Sequence, residues 1–297
     1  MIPTTPTLAA EIYGQSDLSK AVDEEATCTS IELLEGALFE IRFDSPRVAA
    51  AAAPGEFAQL LVDEGQVPLL RRPFSFSRAD RTDGKVAFYL AAVGQGSRRL
   101  RLLHPGDRVR ILGPLGRGFS LPESPGRSLL LAGGLGSAPF PLLIERLIER
   151  GEEVIWLNGA RTAAELYPEH LLPGGLKGCL MRTQDGSKGT QGLLTDGLPE
   201  LLVGIQRIYA CGPNPMLAAV HRLWASEFAA GRTEASLEVS IEAPMGCGFG
   251  TCLGCAIPLG AAEETPGPLG LCCRQGPVLA SGLLDWDRLL RQPAHLG

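Results

Sequence analysis

The feature that most constrains this chain is a cysteine-rich stretch near its end, Met245-Gly-Cys247-Gly-Phe-Gly-Thr-Cys252-Leu-Gly-Cys255, with Cys273 further on. Cys247, Cys252 and Cys255 follow a C-x4-C-x2-C spacing, and the fourth thiol lies 18 positions after the third. This is the ligand spacing of a plant-type [2Fe–2S] cluster. Four thiolates must converge on two irons, so the backbone has to wrap tightly and turn its N–H groups toward the sulfurs, which the intervening glycines permit. A structural zinc site also uses four cysteines, but its ligands usually come as two separated C-x2-C pairs rather than three thiols in one glycine-rich loop. A cluster carries single electrons, so the rest of the chain is expected to hold their source and their destination.

Bulk properties set the frame for that search. The 297 residues suffice for two domains with separate cores, and 45% apolar with 20% charged residues describes a globular protein. A formal net charge of −6 offers no electrostatic case for nucleic acid. The uncharged run Ser128 to Ile144 contains three glycines and two prolines, so it reads as strand, turn and helix and not as a membrane span. Met1 to about Thr27 lacks the basic-then-apolar layout of a signal peptide and reads as an extension on a cytoplasmic protein. Five of the eight cysteines crowd into residues 247–273 instead of spreading as disulfide pairs, which fits that compartment. Cys28 and Cys179 read as small buried hydrophobes.

From Thr29 to about Leu112, short apolar or alternating runs such as Ala37-Leu-Phe-Glu-Ile-Arg-Phe, Phe57-Ala-Gln-Leu-Leu-Val and Val86-Ala-Phe-Tyr-Leu are separated by turn signals. Short strands without long intervening helices predict an antiparallel Greek-key barrel or sandwich. Within it, Arg72-Pro73-Phe74-Ser75 offers a fixed-charge fork for a pyrophosphate, followed by a strand whose backbone can hydrogen-bond a planar ring. Gly94-Gln95-Gly96-Ser97 precedes a helix predicted over Ser97 to Leu103, whose first N–H groups can face a phosphate.

After a linker at Leu121 to Gly126 the pattern changes to strands alternating with helices, which predicts a doubly wound parallel sheet with its ligand crevice at the strands' C-terminal ends. Helices are expected over Ser137–Arg150, Thr162–Leu172, Gln191–Leu202 and Pro215–Phe228. Gly133-Gly134-Leu-Gly136 lies at the first strand–helix turn, where a dinucleotide pyrophosphate needs bare backbone. Gly159 and Arg161 follow the second strand, and Asp185-Gly-Ser187 follows the third. Cys211-Gly212-Pro213 ends the fourth strand at the same rim. A thiol at Cys211 can either touch a nicotinamide, as a catalytic group, or simply pack. Arg161 and Arg182 stand in no basic cluster, which favours NAD over NADP.

Taken together, these motifs resemble the ferredoxin–NADP reductase-like superfamily. More narrowly, they are similar to the iron–sulfur electron-transfer subunits of NAD-dependent (class B) dihydroorotate dehydrogenases, over about Thr29 to Leu279. The specific part is the block Glu242-x-x-Met-Gly-Cys-Gly-x-Gly-x-Cys-Leu-Gly-Cys255, closed by Cys273-x-x-Gly276-Pro-Val278. After an N-terminal extension (1–28) that the family does not explain, the resemblance implies an FAD-binding β-barrel (29–121), an NAD-binding α/β domain (127–243) and a [2Fe–2S] region (244–297). It implies a TIM-barrel partner subunit that binds FMN and oxidises dihydroorotate, joined in a heterotetramer, with electrons running through the cluster and FAD to NAD+. Spacing alone leaves Cys272 or Cys273 as the fourth ligand, and the Cys-x-x-Gly-Pro-Val context favours Cys273. The loop before it carries Glu263-Glu-Thr-Pro-Gly-Pro and is slightly longer than the family's. Related flavin and iron–sulfur subunits also serve hydrogenases, sulfide dehydrogenases and NAD(P)H–ferredoxin reductases. A regulatory or scaffold protein without redox function is the remaining alternative.

Overall fold

Residues 16–62, 69–176, 179–260 and 268–292 are described by a computed structural model. Most of the N-terminal extension and the acidic, proline-containing stretch from Glu263 to Gly267 lie outside them.

Two seven-stranded sheets dominate. The first is antiparallel and contains β1 (Val22–Leu33), β2 (Leu38–Asp44), β3 (Phe57–Leu61), β4 (Arg72–Ser75), β5 (Arg78–Asp80), β6 (Lys85–Ala91) and β7 (Arg108–Leu115). Their order is β4-β3-β7-β1-β2-β6-β5. Alternation drives this sheet: Phe39, Ile41 and Phe43 point inward with Phe88, Leu60 and Ile111, all fully buried. β1 begins at Val22, so residues 22–28 belong to this sheet and not to the extension read from sequence. α1 (Pro46–Ala51) packs beside it, and α2 (Gln95–Leu100) begins two residues earlier than predicted.

The second sheet contains β8 (Arg127–Gly133), β9 (Glu153–Ala160), β10 (Cys179–Thr183), β11 (Thr190–Gln191), β12 (Arg207–Cys211) and β13 (Ser236–Ser240). These run parallel in the order β11-β10-β9-β8-β12-β13. The order reverses between β8 and β12, and a doubly wound sheet opens its crevice at such a point. α3 (Phe140–Glu149) and α5 (Asn214–Ala229) cover it, close to their predicted limits.

Two predicted helices do not form as read. Thr162–Leu172 holds two 3₁₀ turns, Ala163–Glu165 and Glu169–Leu171, because Pro168 interrupts it. Gln191–Leu202 is helical only over α4 (Leu198–Leu201), since Gly192 and Gly197 both take positive φ.

The cysteine loop leaves β13 and returns. A small hairpin of β14 (Ala256–Pro258) and β15 (Leu269–Leu271) leads into α6 (Cys272–Gln275), and β16 (Val278–Ala280) then pairs antiparallel with β13. The second sheet is therefore mixed at this edge. The same return touches the first domain: Arg117 N–H donates to the Gly276 carbonyl at 2.6 Å, and Val278 N–H donates to the Arg117 carbonyl at 3.3 Å. α7 (Trp286–Arg291) ends the described chain, capped by Asp285.

Elsewhere the two domains are joined by an ion pair between Arg78 and Glu145, and by Ser120, whose N–H and hydroxyl donate to Glu238 at 2.9 and 2.7 Å. No helix among the described residues is long and apolar enough to cross a membrane.

Candidate functional site

The cysteine loop forms two thiol pairs. Cys255 and Cys273, both buried, bring their sulfurs to 3.2 Å, and the Cys273 N–H donates to the Cys255 sulfur at 3.5 Å. At the outer end, the Cys252 N–H donates to the Cys247 sulfur at 3.4 Å, and Cys252 itself is exposed. Hydrogen bonding with Cys273, with further N–H donors, holds the Cys255 thiol down to about 6 despite its burial. The hydrogen bond with Cys255, together with burial and the Cys255 charge, in turn pushes Cys273 up. Burial opposes ionisation of Cys247, but N–H groups of Cys252 and Phe249 outweigh it and hold that thiol down to about 7. Cys272 is different. Its side chain is wholly buried, its thiol is pushed up by that burial, and it faces the Ile241 carbonyl at 4.0 Å.

Among the described residues, no three His, Cys, Asp or Glu side chains gather around one point as a single metal ion requires. Two thiol pairs, each with backbone N–H groups aimed at sulfur, fit a two-iron cluster better than one tetrahedral zinc.

This loop lies against the β3–β4 edge of the first sheet. Gly248 takes φ +82°, and a Cβ there would stand 2.7 Å from the Gln59 side chain of β3. A Cβ on Gly246 would reach Leu70, just before β4, at 4.0 Å. β4 is Arg72-Pro73-Phe74-Ser75 itself, paired to β3 with Pro73 opposite Gln59 and Ser75 opposite Phe57. Phe74 packs toward the core of the first sheet. The Arg72 stem crosses α2 at Gly96, where a Cβ would meet its Cγ at 2.9 Å. Its guanidinium donates to the carbonyls of Leu70 and Arg71, and among the described residues no carboxylate pairs with it. The Ser97 hydroxyl accepts from Gly94 N–H at 3.1 Å, which shapes the turn through Gln95. A half-buried arginine without a carboxylate, beside a helix start, suits a pyrophosphate.

A cavity of about 890 Å³ opens at the C-terminal ends of the second sheet, between the two domains. Gly133, Gly134, Gly136, Gly159, Arg161 and Pro213 line it, with Ala91 and Val93 from the end of β6. Gly136 must be glycine, because a Cβ would stand 2.2 Å from the Cys211 carbonyl oxygen. The sequence places Glu242 at the head of the cysteine block, whereas the structure puts it at the rim of this cavity. Desolvation raises its carboxyl, and Asn214 clamps its backbone through two hydrogen bonds of 3.1 and 3.3 Å. Only the tertiary fold brings this glutamate round to β8.

Other predicted residues stand back from the cavity. Cys211 and Gly212 do not line it; the Cys211 side chain is buried with Ala132 and Tyr209, and burial pushes its thiol up to about 12. Asp185 spends its carboxylate on its own turn, accepting from the Ser187 N–H at 3.0 Å and hydroxyl at 2.6 Å, while neighbouring Gln184 lines the cavity.

Residues 242–285 match the iron–sulfur cluster binding domain of dihydroorotate dehydrogenase B. The electron transfer subunit of dihydroorotate dehydrogenase B (NAD(+)) from Geobacillus thermodenitrificans is 34% identical over 261 residues, covering 87% of this chain and 97% of the relative. The chain belongs to the electron transfer subunits of dihydroorotate dehydrogenase B. The corresponding subunit from Desulforamulus reducens is 32% identical, over 91% of this chain and all of its own length. Among solved structures, an NADH-dependent reduced ferredoxin–NADP oxidoreductase shares the fold with TM-score 0.76 at 24% identity, covering 90% of this chain and 92% of its own. A ferredoxin NADP+ reductase from Neisseria gonorrhoeae, solved with FAD and NADP, matches with TM-score 0.55 at 19% identity, over 70% of this chain and 92% of its own. Membership in this family bears out the oxidoreductase electron-transfer reading, and these folds bear out the β plus α/β architecture.

Proposed function

We propose that this subunit passes electrons from a dihydroorotate-oxidising, FMN-containing partner to NAD+, by way of a [2Fe–2S] cluster and FAD. The observation that carries this reading is the seating of the cysteine loop against β3–β4, which brings the thiol pairs beside Arg72-Pro-Phe-Ser75. FAD supplies the exchange between one-electron transfer at the cluster and hydride transfer at the nicotinamide.

In this reading Cys247, Cys252, Cys255 and Cys273 ligate the cluster, and Cys272 only packs. Arg72 and the Gly94–Ser97 turn hold the FAD pyrophosphate, while Pro73, Phe74 and Ser75 present the backbone edge of β4 to the flavin ring. The Gly133–Gly136 turn, Gly159 and Pro213 admit the dinucleotide, with Gly212 packed behind Gly133 and Asp185 shaping the far loop. Cys211 supports the nicotinamide end through its backbone and its packing. Arg161 is held by Glu165, with its Nε 3.1 Å from the carboxylate. Arg182 donates to the Leu193 and Asp196 carbonyls. With both arginines engaged, a ribose hydroxyl is better accommodated than a 2′-phosphate, which supports NAD.

The partner docks over the outer end of the loop. Leu69, Leu70, Phe249 and Leu253 are exposed apolar side chains on the Cys252 side, a concentration that suits a protein contact. Assembly as a heterotetramer in the cytoplasm completes the proposal. Anaerobic titration of the co-purified complex is the test. Dihydroorotate should bleach flavin and raise an EPR signal, and NAD+ should reverse both. A complex that responds to NADH but not to dihydroorotate, or one bringing a hydrogenase-type subunit, would overturn the partner assignment.

A further inference from the structure

Gln59 stands out among the buried polar groups. Its side chain is fully buried, and among the described residues neither its amide nitrogen nor its amide oxygen has a hydrogen-bond partner. Leaving both unpaired in the interior is costly unless something else meets them. The Gln59 side chain abuts the cysteine loop: its Cγ and its amide nitrogen both lie 2.7 Å from where a Cβ on Gly248, the residue after Cys247, would stand. Residues opposite one another in an antiparallel pair project to the same face, so Gln59 leaves the sheet on the side of Pro73 and its strand neighbour Ser75. Phe57, two residues earlier on that face, packs into the cluster of side chains that includes Cys255 and Cys273. Gln59 thus stands between the strand read as flavin-binding and the loop read as cluster-binding.

We propose that Gln59 is a positioning residue for the [2Fe–2S] cluster, donating its side-chain N–H to the sulfur shell beside Cys247. Two ferric irons, two sulfides and four thiolates leave a net negative cluster, which gains more negative charge on reduction, so its sulfurs are the acceptors such a donor would serve. A donor from Gln59 therefore stabilises the reduced form more than the oxidised one and raises the potential. It also accounts for the glycine at position 248, where any side chain would displace the amide. This role rests on the assignment of Cys247, Cys252, Cys255 and Cys273 as ligands.

The test uses the full chain, reconstituted anaerobically with FAD and cluster, with Gln59→Leu and Gln59→Met compared to wild type in an EPR-monitored redox titration. Both variants keep the volume and lose the donor. At the wild-type midpoint, the reduced-to-oxidised cluster ratio should fall roughly tenfold in each, which for a one-electron couple is about 59 mV. In the cluster-free protein, thermal stability should be unchanged or higher, because an unpaired buried amide has been replaced by an apolar group. An unmoved cluster midpoint, or a shift confined to the flavin, overturns the role of Gln59. A wild-type protein without a [2Fe–2S] signal instead overturns the ligand assignment beneath it.

Discussion

The sulfur of Cys273 stands 3.2 Å from that of Cys255, although 18 residues separate them, while neighbouring Cys272 turns its sulfur toward the Ile241 carbonyl. One helical step in α6 thus separates a thiol aimed at the cluster loop from one aimed at the core. Cys273→Ser should abolish the visible absorbance and EPR signal of the cluster. Cys272→Ala should retain both and cost roughly 1–2 kcal/mol of stability in denaturant unfolding. Cluster loss in the second variant and not in the first would reverse the assignment.

Arg72 spans the start of α2, and among the described residues no carboxylate neutralises it. Arg72→Ala should weaken FAD binding about 10- to 100-fold, the worth of a charge-assisted hydrogen bond to phosphate, and Arg72→Lys should recover part of that. Flavin fluorescence during dilution measures the loss. Unchanged affinity in the alanine variant would remove Arg72 from the site.

Gly136 has no room for a methyl group beside the Cys211 carbonyl. Gly136→Ala should cost about 1–3 kcal/mol of stability and raise the KM for NADH in a dye-reduction assay. Gly134→Ala meets no atom within 4 Å but forces alanine into φ +54°, so its cost should be near 1 kcal/mol. Equal effects at the two positions would mean that the close approach does not matter.

His221 lies between two tryptophans, stacked on Trp286 at 5.4 Å with Nδ1 3.1 Å from the Ser281 hydroxyl. Desolvation, helped by Arg222, lowers its pKa below 6.5. The unfolded chain therefore binds the proton more readily. The stability associated with neutral His221 is present above pH 6.5 and is lost as pH falls from there through the folded value. His221→Phe should flatten this part of the stability–pH curve. A curve that keeps its slope below pH 6.5 would assign the effect elsewhere.

Leu253 is the one non-glycine residue with positive φ among the described residues, at +58°, and it is largely exposed between Cys252 and Cys255. Leu253→Gly relieves the backbone strain and adds chain entropy in the unfolded state, so stability should stay within about 0.5 kcal/mol. Affinity for the partner subunit should fall roughly tenfold, read by titration calorimetry. Unchanged affinity would move the docking surface away from this loop.

The local chemistry of the chain was legible in its sequence because it depends on spacing. Cys247, Cys252 and Cys255 are near neighbours along one glycine-rich loop, and Gly133–Gly136 is recognisable from the strand before it and the helix after it. Strands β2, β3, β6 and β7 declared themselves by their apolar or alternating runs, whereas β5 and the first half of β1 did not, and α3 and α5 showed long uninterrupted apolar patterns. Helices over Thr162–Leu172 and Gln191–Leu202 were over-read, because apolar periodicity there is cut by Pro168 and by glycines at positive φ. What only the tertiary structure decided are relationships between distant segments. They include which of two adjacent thiols reaches Cys255, the return of β16 onto β13, the arrival of Glu242 at the cavity beside Gly133–Gly136, and the meeting of Gln59 with Gly248. No sequence period encodes such contacts, since each depends on where two sheets and a loop come to rest against one another.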